Sequence, residues 1–281
     1  MAVSLDDILA SHRGGRAVVM GVLNVTPDSF SDGGEYFEAG AAAGRAAELV
    51  AEGAEIIDVG GESTRPGSER VSPAEQVRRL ERVVPEAAGL GAVVSIDTTR
   101  AAVAAWALDA GAAIVNDISA GRDDPAMLPL AASRGCGLVL MHMRGQPKTM
   151  QADPRYDDVV GEVRAFLAER LAAAEAAGVR RDRCIVDPGI GFGKKLEHNV
   201  ALLAGMEALC GLGVPVLVGP SRKRFIGELT GAARPADRVA GTVAACLAAR
   251  ARGATIFRVH DVAPLVQALA VADAVGRAGG R

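Results

Sequence analysis

Aromatic residues, net charge and closely spaced cysteines are all scarce in this chain of 281 residues. Aromatic side chains form 3% of the sequence and the net charge is -3. The chain therefore has neither the basic surface nor the stacking platforms that nucleic-acid binding requires. The four cysteines, Cys136, Cys184, Cys210 and Cys246, are far apart and lie among apolar neighbours. They predict buried free thiols rather than a disulfide or a zinc site.

Long apolar runs are also missing. Hydrophobic residues make up 49% of the chain, many of them alanine, but no run approaches the ~18 residues that a membrane span needs. The first ten residues carry Asp6 and Asp7 where a secretory signal would carry positive charge. We expect a cytoplasmic protein that has no membrane or nucleic-acid partner.

Short apolar segments that end on polar residues are what the chain has instead. The first runs from Val18 to Leu23 and is followed by Asn24. A polar loop from Thr26 to Gly34 comes next, with Phe30 as its one large apolar side chain. The predicted strands occupy residues 18–23, 56–59, 92–96, 114–115, 138–141, 185–186, 214–218 and 255–259. The predicted helices occupy residues 39–53, 72–88, 100–110, 156–177, 197–209 and 237–251, and a last helix ends near residue 274.

Eight strand-helix units predict one fold. Parallel strands buried on both faces read as nearly continuous apolar runs, and helices supply the crossovers between them. We predict an α/β fold, a single (β/α)8 TIM barrel that forms one domain over residues 1–281, with a motif-bearing core at about 18–275. The chemistry of such barrels lies at the C-terminal ends of the strands. Those ends carry Asn24, Asp97, Asn116, His142, Asp187, Lys223, Arg258 and His260.

Three of these strand ends carry groups that suit a flat heterocycle. Asp97, Asn116 and Asp187 offer carboxylate and amide groups that can accept from ring N–H donors and donate to ring acceptors. Any one of them alone would more often be a helix cap. Three at separate strand ends favour a ligand site.

Cationic side chains end two further strands. Lys223 suits a compact cationic donor, and Ser221 at a predicted helix start could bind an anion such as a carboxylate. The alternative for Lys223 is a solvated residue of a charged cluster. Arg258 and His260 share one strand face and could clamp a phosphate or diphosphate, with a structural ion pair as the competing interpretation of Arg258.

His142 and the glycine-rich segment that follows Asp187 are less specific. His142 lies between methionines and is either a packed wall residue or a reacting one. The segment from Gly189 to Lys194 matches no nucleotide-binding motif. Its glycines would let backbone approach a ligand, while Phe192 would supply a flat apolar wall.

Eight blocks of sequence, in order, resemble the dihydropteroate synthase family of folate biosynthesis. They are MGVLNVTPDSFSDGG, IDVGGESTRPG, SIDTTR, VNDIS, LMHM, DPGIGFGK, GPSRKR and RVHD, and they extend from about Val18 to Val262. The resemblance implies Mg²⁺-dependent condensation of 6-hydroxymethyl-7,8-dihydropterin diphosphate with 4-aminobenzoate, giving 7,8-dihydropteroate and diphosphate. It also implies inhibition by sulfonamides and a homodimer formed through the outer helices.

The resemblance also assigns roles to residues. It implies that the pterin is held by Asp97, Asn116, Asp187 and Lys223. It implies that the diphosphate faces Asn24, Thr64, Arg258 and His260, with Asn24 as the Mg²⁺ contact. It implies that 4-aminobenzoate touches Phe30, Arg65, Pro66, Phe192 and Lys223, with its carboxylate at Ser221. We expect Asp97, Lys223, Arg258 and His260 to act in catalysis. The expected mechanism is dissociative: diphosphate leaves first, the electron-rich dihydropterin carries the methylene cation beside Asp97, and two closing loops exclude water.

Three other functions remain open on the residues. A pterin methyltransferase barrel would act on methyltetrahydrofolate with a corrinoid partner, although the intact first two loops argue against it. A silent paralogue would bind pterin without turnover. A sugar-phosphate barrel enzyme would not explain two aspartates and an asparagine directed at a heterocycle.

Overall fold

The computed structural model describes residues 3–25, 34–62, 70–145 and 148–278. They form one eight-stranded parallel sheet of order β6-β5-β4-β3-β2-β1-β8-β7. A single parallel bridge between Val186 and Val216 joins its two ends, which confirms the predicted (β/α)8 barrel. The strands are β1 Val18–Asn24, β2 Ile56–Gly60, β3 Val93–Asp97, β4 Ile114–Asp117, β5 Gly137–Met141, β6 Cys184–Asp187, β7 Leu217–Val218 and β8 Ile256–Val259.

Helices surround the sheet and close its N-terminal end. The bounds are α1 Leu5–Leu9, α2 Ser11–Gly14, α3 Gly34–Ala51, α4 Pro73–Leu80, α5 Val83–Ala88, α6 Ala101–Asp109, α7 Met127–Arg134, α8 Val159–Ala176, α9 Leu196–Ala204, α10 Met206–Cys210, α11 Arg224–Thr230, α12 Val239–Arg250 and α13 Val262–Ala278. Within the described ranges, no helix is long and apolar enough to cross a membrane.

Several predicted boundaries were wrong. The helix expected over 72–88 is two helices, because Pro85 has no N–H to donate to the carbonyl four residues earlier. The helix expected over 197–209 breaks at Gly205, where a Cβ would lie 2.8 Å from Val160 Cγ2 of α8. Helix α7, which ends at the left-handed Gly135, was not predicted. Strand β7 is shorter than predicted because its run contains Pro215.

The inward face of the barrel changes from apolar to polar along most strands; β5 is an exception, since its inner residues Val139 and Met141 are both apolar. Successive residues of a strand point to opposite faces, so Ile56, Asp58 and Gly60 share the inner face of β2. The lower inward layer is apolar, and Ile8 and Leu9 of α1 pack against it from below. A second apolar cluster lies between the sheet and the helices. The polar groups of the inner face are therefore left at the C-terminal mouth, where the register places them at neighbouring levels.

The cysteine prediction is confirmed for pairing but not fully for burial. All four thiols are free, and Cys136, Cys184 and Cys246 are buried. Cys210, at the end of α10, is only partly buried.

Candidate active site

A charge cluster lies inside the barrel below the C-terminal mouth, and Arg258 is its centre. Arg258 Nε donates to Asp58 Oδ2 at 2.6 Å, and Arg258 Nη2 donates to Asp97 Oδ2 at 2.9 Å. Asp58 is 0% exposed and Asp97 is 6% exposed. The ion pair that the sequence left as an alternative for Arg258 is present, and it connects β8 with β2 and β3.

Asn116 joins this cluster from β4. Its Nδ2 donates to Asp58 Oδ2 at 3.0 Å. An ionised carboxylate only accepts hydrogen bonds, so Asp58 fixes which end of the Asn116 amide faces it. The Asn116 carbonyl oxygen is then left to accept from a ligand. Asn116 is also directly beside Asp97 in the β3–β4 register, so the two side chains form one surface.

The pKa of Asp97 is raised to about 7, chiefly by burial and then by the neighbouring negative charge of Asp58. The positive charge of Arg258 opposes that rise. Near neutral pH, Asp97 in the ligand-free protein is therefore divided between its acidic and its ionised form. Burial also raises the pKa of Asp187, against the positive charge of Lys223.

Asp187 and Lys223 form the opposite wall of the mouth. Asp187 ends β6, and its Oδ1 accepts from the N–H of Gly189 at 2.6 Å. Lys223 Nζ donates to the carbonyl of Ile190 and lies 4.5 Å from the centre of the Phe192 ring. Burial lowers the pKa of Lys223 to about 8, while Asp187 acts to raise it. Lys223 is therefore a partly buried donor that points into the site and not a member of a solvated cluster.

The glycine-rich segment lies against Lys223 because its glycines have no side chains. Gly191 has φ +82, and a Cβ there would lie 2.7 Å from Lys223 Cδ. Gly189 has φ +65, and a Cβ there would lie 2.0 Å from the carbonyl oxygen of His142. Both close approaches and both positive φ angles require glycine. The segment places Phe192 over Lys223, where an apolar wall was predicted.

Ser221 and His260 are hydrogen-bonded to each other across the ends of β7 and β8. Ser221 Oγ lies 2.9 Å from His260 Nδ1 and accepts from the His260 backbone N–H at 3.1 Å. Between Ser221 and Lys223, Arg222 has φ 58, a conformation that costs energy for a residue with a side chain. Its guanidinium forms two hydrogen bonds to Asp261, of 2.9 and 2.6 Å. Arg222 follows Ser221 and Asp261 follows His260, so this ion pair holds Ser221 and His260, the two residues predicted to face anions, next to each other.

His142 is a packed residue. Burial and the neighbouring positive charges lower its pKa to about 2, and its ring makes an edge contact with Phe166, centroid to centroid 4.9 Å. Its Nδ1 lies 3.0 Å from Lys194 Nζ. Of the two interpretations left open by the sequence, the structure supports the wall residue.

Four predicted site residues lie outside the described residues. They are Phe30, Thr64, Arg65 and Pro66.

Sequence reasoning missed Asp58 as a site residue. The signal was in the sequence, because a charged residue inside the apolar run Ile56, Ile57 and Val59 must be paired or face a polar cavity. The same argument was applied to Arg258, which is the partner of Asp58. Lys194 was also missed, since nothing in its neighbours along the chain indicates burial.

A divalent cation fits the rim of this cluster. Among the described residues, no group of three or more histidine, cysteine, aspartate or glutamate side chains could hold a metal ion by itself. Mg²⁺ often takes only one or two protein ligands and completes its shell with substrate phosphates and water. Asn24 ends β1 beside Gly60, where a Cβ would come within 3.7 Å of Asn24 Oδ1. An amide oxygen at a strand end is a ligand type that a divalent cation accepts.

Comparisons with known proteins agree with this geometry. The family model described as pterin binding enzyme matches residues 20–260. The dihydropteroate synthase of Neisseria meningitidis serogroup B is 51% identical over 263 residues, which are 92% of each chain. The dihydropteroate synthase of Xanthomonas albilineans with 4-aminobenzoic acid has a TM-score of 0.88 and 50% identity, over 92% of this chain and 93% of that one. The same enzyme in complex with 7,8-dihydropteroate has a TM-score of 0.84 and 48% identity, over 92% and 94% of the two chains.

Proposed function

This chain belongs to the pterin-binding enzyme family, with the dihydropteroate synthases as its relatives, and we propose that it condenses 6-hydroxymethyl-7,8-dihydropterin diphosphate with 4-aminobenzoate. The products are 7,8-dihydropteroate and diphosphate. The observation that carries the proposal is the assembly of buried Asp58, Asp97 and Asn116 with partly buried Arg258 below the mouth of the barrel. It offers carboxylate and amide acceptors in a site from which water is largely excluded.

The pterin would lie between this assembly and the opposite wall. Asp97 and Asp187 are acceptors suited to ring N–H and amino groups, while Asn116 and Lys223 supply an amide and a cationic donor. All four side chains come from different strand ends, so they can surround a flat ring rather than contact one edge of it. The strand-end pattern predicted this role for Asp97, Asn116 and Asp187, and the family resemblance adds Lys223.

The diphosphate would lie towards Asn24 and His260, with Arg258 below it. Thr64 is proposed for the same group on the resemblance alone. We propose that Asn24 holds Mg²⁺ together with diphosphate oxygens and water. When bound, Mg²⁺ would neutralise negative charge on the leaving diphosphate.

The 4-aminobenzoate would lie against Phe192 with its carboxylate at Ser221. Phe192 packs on the apolar cluster of Met141, Met143 and Met150, which supports its ring as a wall for an aromatic acid. Phe30, Arg65 and Pro66 are proposed for this pocket from the sequence. A sulfonamide, which resembles 4-aminobenzoate in shape, is expected to compete there.

The reaction replaces a C–O bond by a C–N bond. We propose that the bond from the methylene carbon to the diphosphate breaks first, with the electron pair leaving on the diphosphate. The dihydropterin then carries the positive charge, which ionised Asp97 stabilises because the two charges are opposite and lie in a low-dielectric site. The amine of 4-aminobenzoate adds to the cation and releases one proton, so no side-chain nucleophile is needed.

Arg258 has two functions in this scheme. Its guanidinium is attracted to the leaving diphosphate, and its ion pairs hold Asp58 and Asp97 in place. Lys223 supplies its ammonium group as a donor to the pterin from the wall opposite Arg258. Together these residues bind and orient the pterin before and after the bond breaks.

A homodimer is a further proposal. Two large apolar residues one helical turn apart on α13, Val271 and Val275, are 65% and 66% exposed. Such a pair on an outer helix is compatible with a contact between two copies. Light scattering coupled to size exclusion would measure the mass; a monomer at micromolar concentration would contradict this proposal. The cytoplasmic location stays a prediction.

The test of function is product identification. The protein, Mg²⁺, the dihydropterin diphosphate and 4-aminobenzoate are incubated together, and dihydropteroate is sought by chromatography and mass spectrometry. Parallel samples contain methyltetrahydrofolate with a corrinoid, or a sugar phosphate, in place of the pterin diphosphate. Dihydropteroate in the first sample alone supports the synthase. Pterin binding with no product in any sample would support a silent paralogue instead.

A further inference from the structure

Lys194 is a buried lysine that the proposed reaction does not use. It is 4% exposed, and among the described residues it has no carboxylate within ion-pair distance. Burial lowers its pKa to about 7, with Asp187 acting to raise it and Lys223 and Arg144 acting to lower it further. A methionine or leucine would fill such a place at far lower cost. The presence of an amine here therefore needs an explanation.

The amine connects two separate segments. Lys194 Nζ donates to the carbonyl of Phe192 at 2.9 Å, and it lies 3.0 Å from Nδ1 and 3.5 Å from the carbonyl of His142. His142 follows β5, whereas Phe192 belongs to the glycine-rich segment after β6. A protonated Lys194 can only donate, so beside it the neutral imidazole of His142 accepts on Nδ1 and carries its proton on Nε2. His142 thus serves as an acceptor for Lys194.

Other contacts hold the same segment from its outer side. Tyr156 donates from its hydroxyl to the carbonyl of Gly193 at 2.9 Å, and Gln151 donates to the carbonyl of Gly191 at 2.6 Å. Asn199 accepts from the N–H of Gly191 at 2.6 Å. Among the described residues, Lys194 is the only side chain that bonds to the Phe192 carbonyl, while the Phe192 N–H donates to the carbonyl of Gly189. The Phe192 ring in turn lies over Lys223 Nζ.

We propose that Lys194 is a positioning residue for the acceptor substrate, because it fixes the peptide that carries the Phe192 wall. The proposal rests on the proposed function, in which 4-aminobenzoate lies against Phe192. Two of the pterin residues, Asp97 and Asn116, have no bond to Lys194: Asp97 is held by Arg258, and Asn116 by Asp58. Lys223 also has its own bond to the Ile190 carbonyl.

The test is the Lys194→Met variant, whose unbranched side chain is only one heavy atom shorter but has no donors. We expect the KM for 4-aminobenzoate to rise about tenfold, the value of one lost buried hydrogen bond. The dissociation constant of the dihydropterin diphosphate, measured separately by calorimetry, should change by less than about twofold, and kcat should fall much less than kcat/KM. The matched control is Lys195→Met, whose exposed ammonium lies 3.9 Å from Asp153 Oδ1; all constants should stay at their wild-type values.

Two results would overturn the proposal. One is an unchanged KM for 4-aminobenzoate in a folded Lys194→Met protein, and the other is an equal loss of pterin binding, which would indicate general damage. If Lys194→Met does not fold, Lys194→Gln is measured in the same way, because its shorter amide cannot reach both acceptors. Failure of the proposed function is separate from these outcomes, since the wild-type protein would then form no dihydropteroate.

Discussion

Replacing Asp58 by Asn should change how pterin affinity depends on pH. The side chains have the same shape, but Asn removes one negative charge beside Arg258 and Asp97. In the wild type, ionised Asp97 accepts from the pterin more strongly than the protonated acid does, and its pKa is about 7. A proton therefore competes with the pterin, and affinity is expected to fall as the pH drops below about 7. Because Asp58 is one of the groups that raise the pKa of Asp97, the variant should retain affinity to a lower pH.

The size of the effect at high pH follows from the contacts. Asp58 Oδ2 accepts from Arg258 and from Asn116. An Asn at this position can present either end of its amide to Asn116, so Asn116 loses its fixed orientation. The pterin then loses about one neutral hydrogen bond, about 0.5–1.5 kcal/mol, which is roughly two- to tenfold in affinity at pH 8. Arg258 retains Asp97 as a partner, so the loss should be no larger.

The assay is calorimetric titration of the pterin diphosphate between pH 5.5 and 8.5. The ratio of variant to wild-type dissociation constants should be largest at pH 8 and decrease as the pH falls. Glu55→Gln is the control, since Glu55 precedes the same strand at the opposite end of the barrel and pairs there with Arg16; it should leave every constant unchanged. Parallel pH profiles of Asp58→Asn and wild type would refute the assignment of Asp97 as the titrating acceptor.

Three further predictions concern the same site. Lys223→Ala removes a charge-assisted hydrogen bond of about 1.5–3 kcal/mol, so pterin affinity should fall roughly tenfold to over a hundredfold; calorimetry showing normal binding would contradict the role of Lys223. Asp97→Asn removes the charge that stabilises the cation, so diphosphate release should slow by more than pterin binding weakens, and an unchanged release rate in a rapid-quench experiment would exclude that role. Chelation of Mg²⁺ should abolish turnover while binding of a pterin that lacks the diphosphate persists, as measured by calorimetry; full turnover with a chelator present would contradict the Mg²⁺ proposal.

Stability should also depend on pH through Asp97. Its pKa in the folded protein is raised above the ordinary value, so the ionised form is disfavoured by folding. The unfavourable contribution is absent at pH values below the unfolded pKa, near 4, and is fully present above about 7. From this group alone, the ligand-free protein should become less stable as pH rises through that window. In Asp97→Asn, this part of the pH dependence of the melting temperature should disappear.

The barrel and the main wall residues of the site were predictable from the sequence because buried parallel strands are short apolar runs with polar ends. Asn116 and Asp187 follow such runs directly, and the parallel register brings all the ends to one mouth. Helix boundaries were less predictable. Pro85 interrupts a helix because it has no N–H to donate. Gly205 interrupts another where the chain passes close to Val160, a neighbour far away in the sequence.

The partners of the site residues could not be read from the sequence. Arg258 is separated from Asp58 by 200 residues and from Asp97 by 161, so the pattern indicated only that a partner was needed. The hydrogen bond between Ser221 and His260 joins two groups that were assigned separately to a carboxylate and to a diphosphate. Burial of Lys194 results from the way the glycine-rich segment folds back over His142, which no local signal shows.

The central claim is tested most directly by measuring diphosphate release and dihydropteroate formation in the same reaction, with and without 4-aminobenzoate. The account predicts one diphosphate for each dihydropteroate when 4-aminobenzoate and Mg²⁺ are present. Tight pterin binding without either product would contradict it and would leave a pterin-binding protein that does not catalyse the condensation.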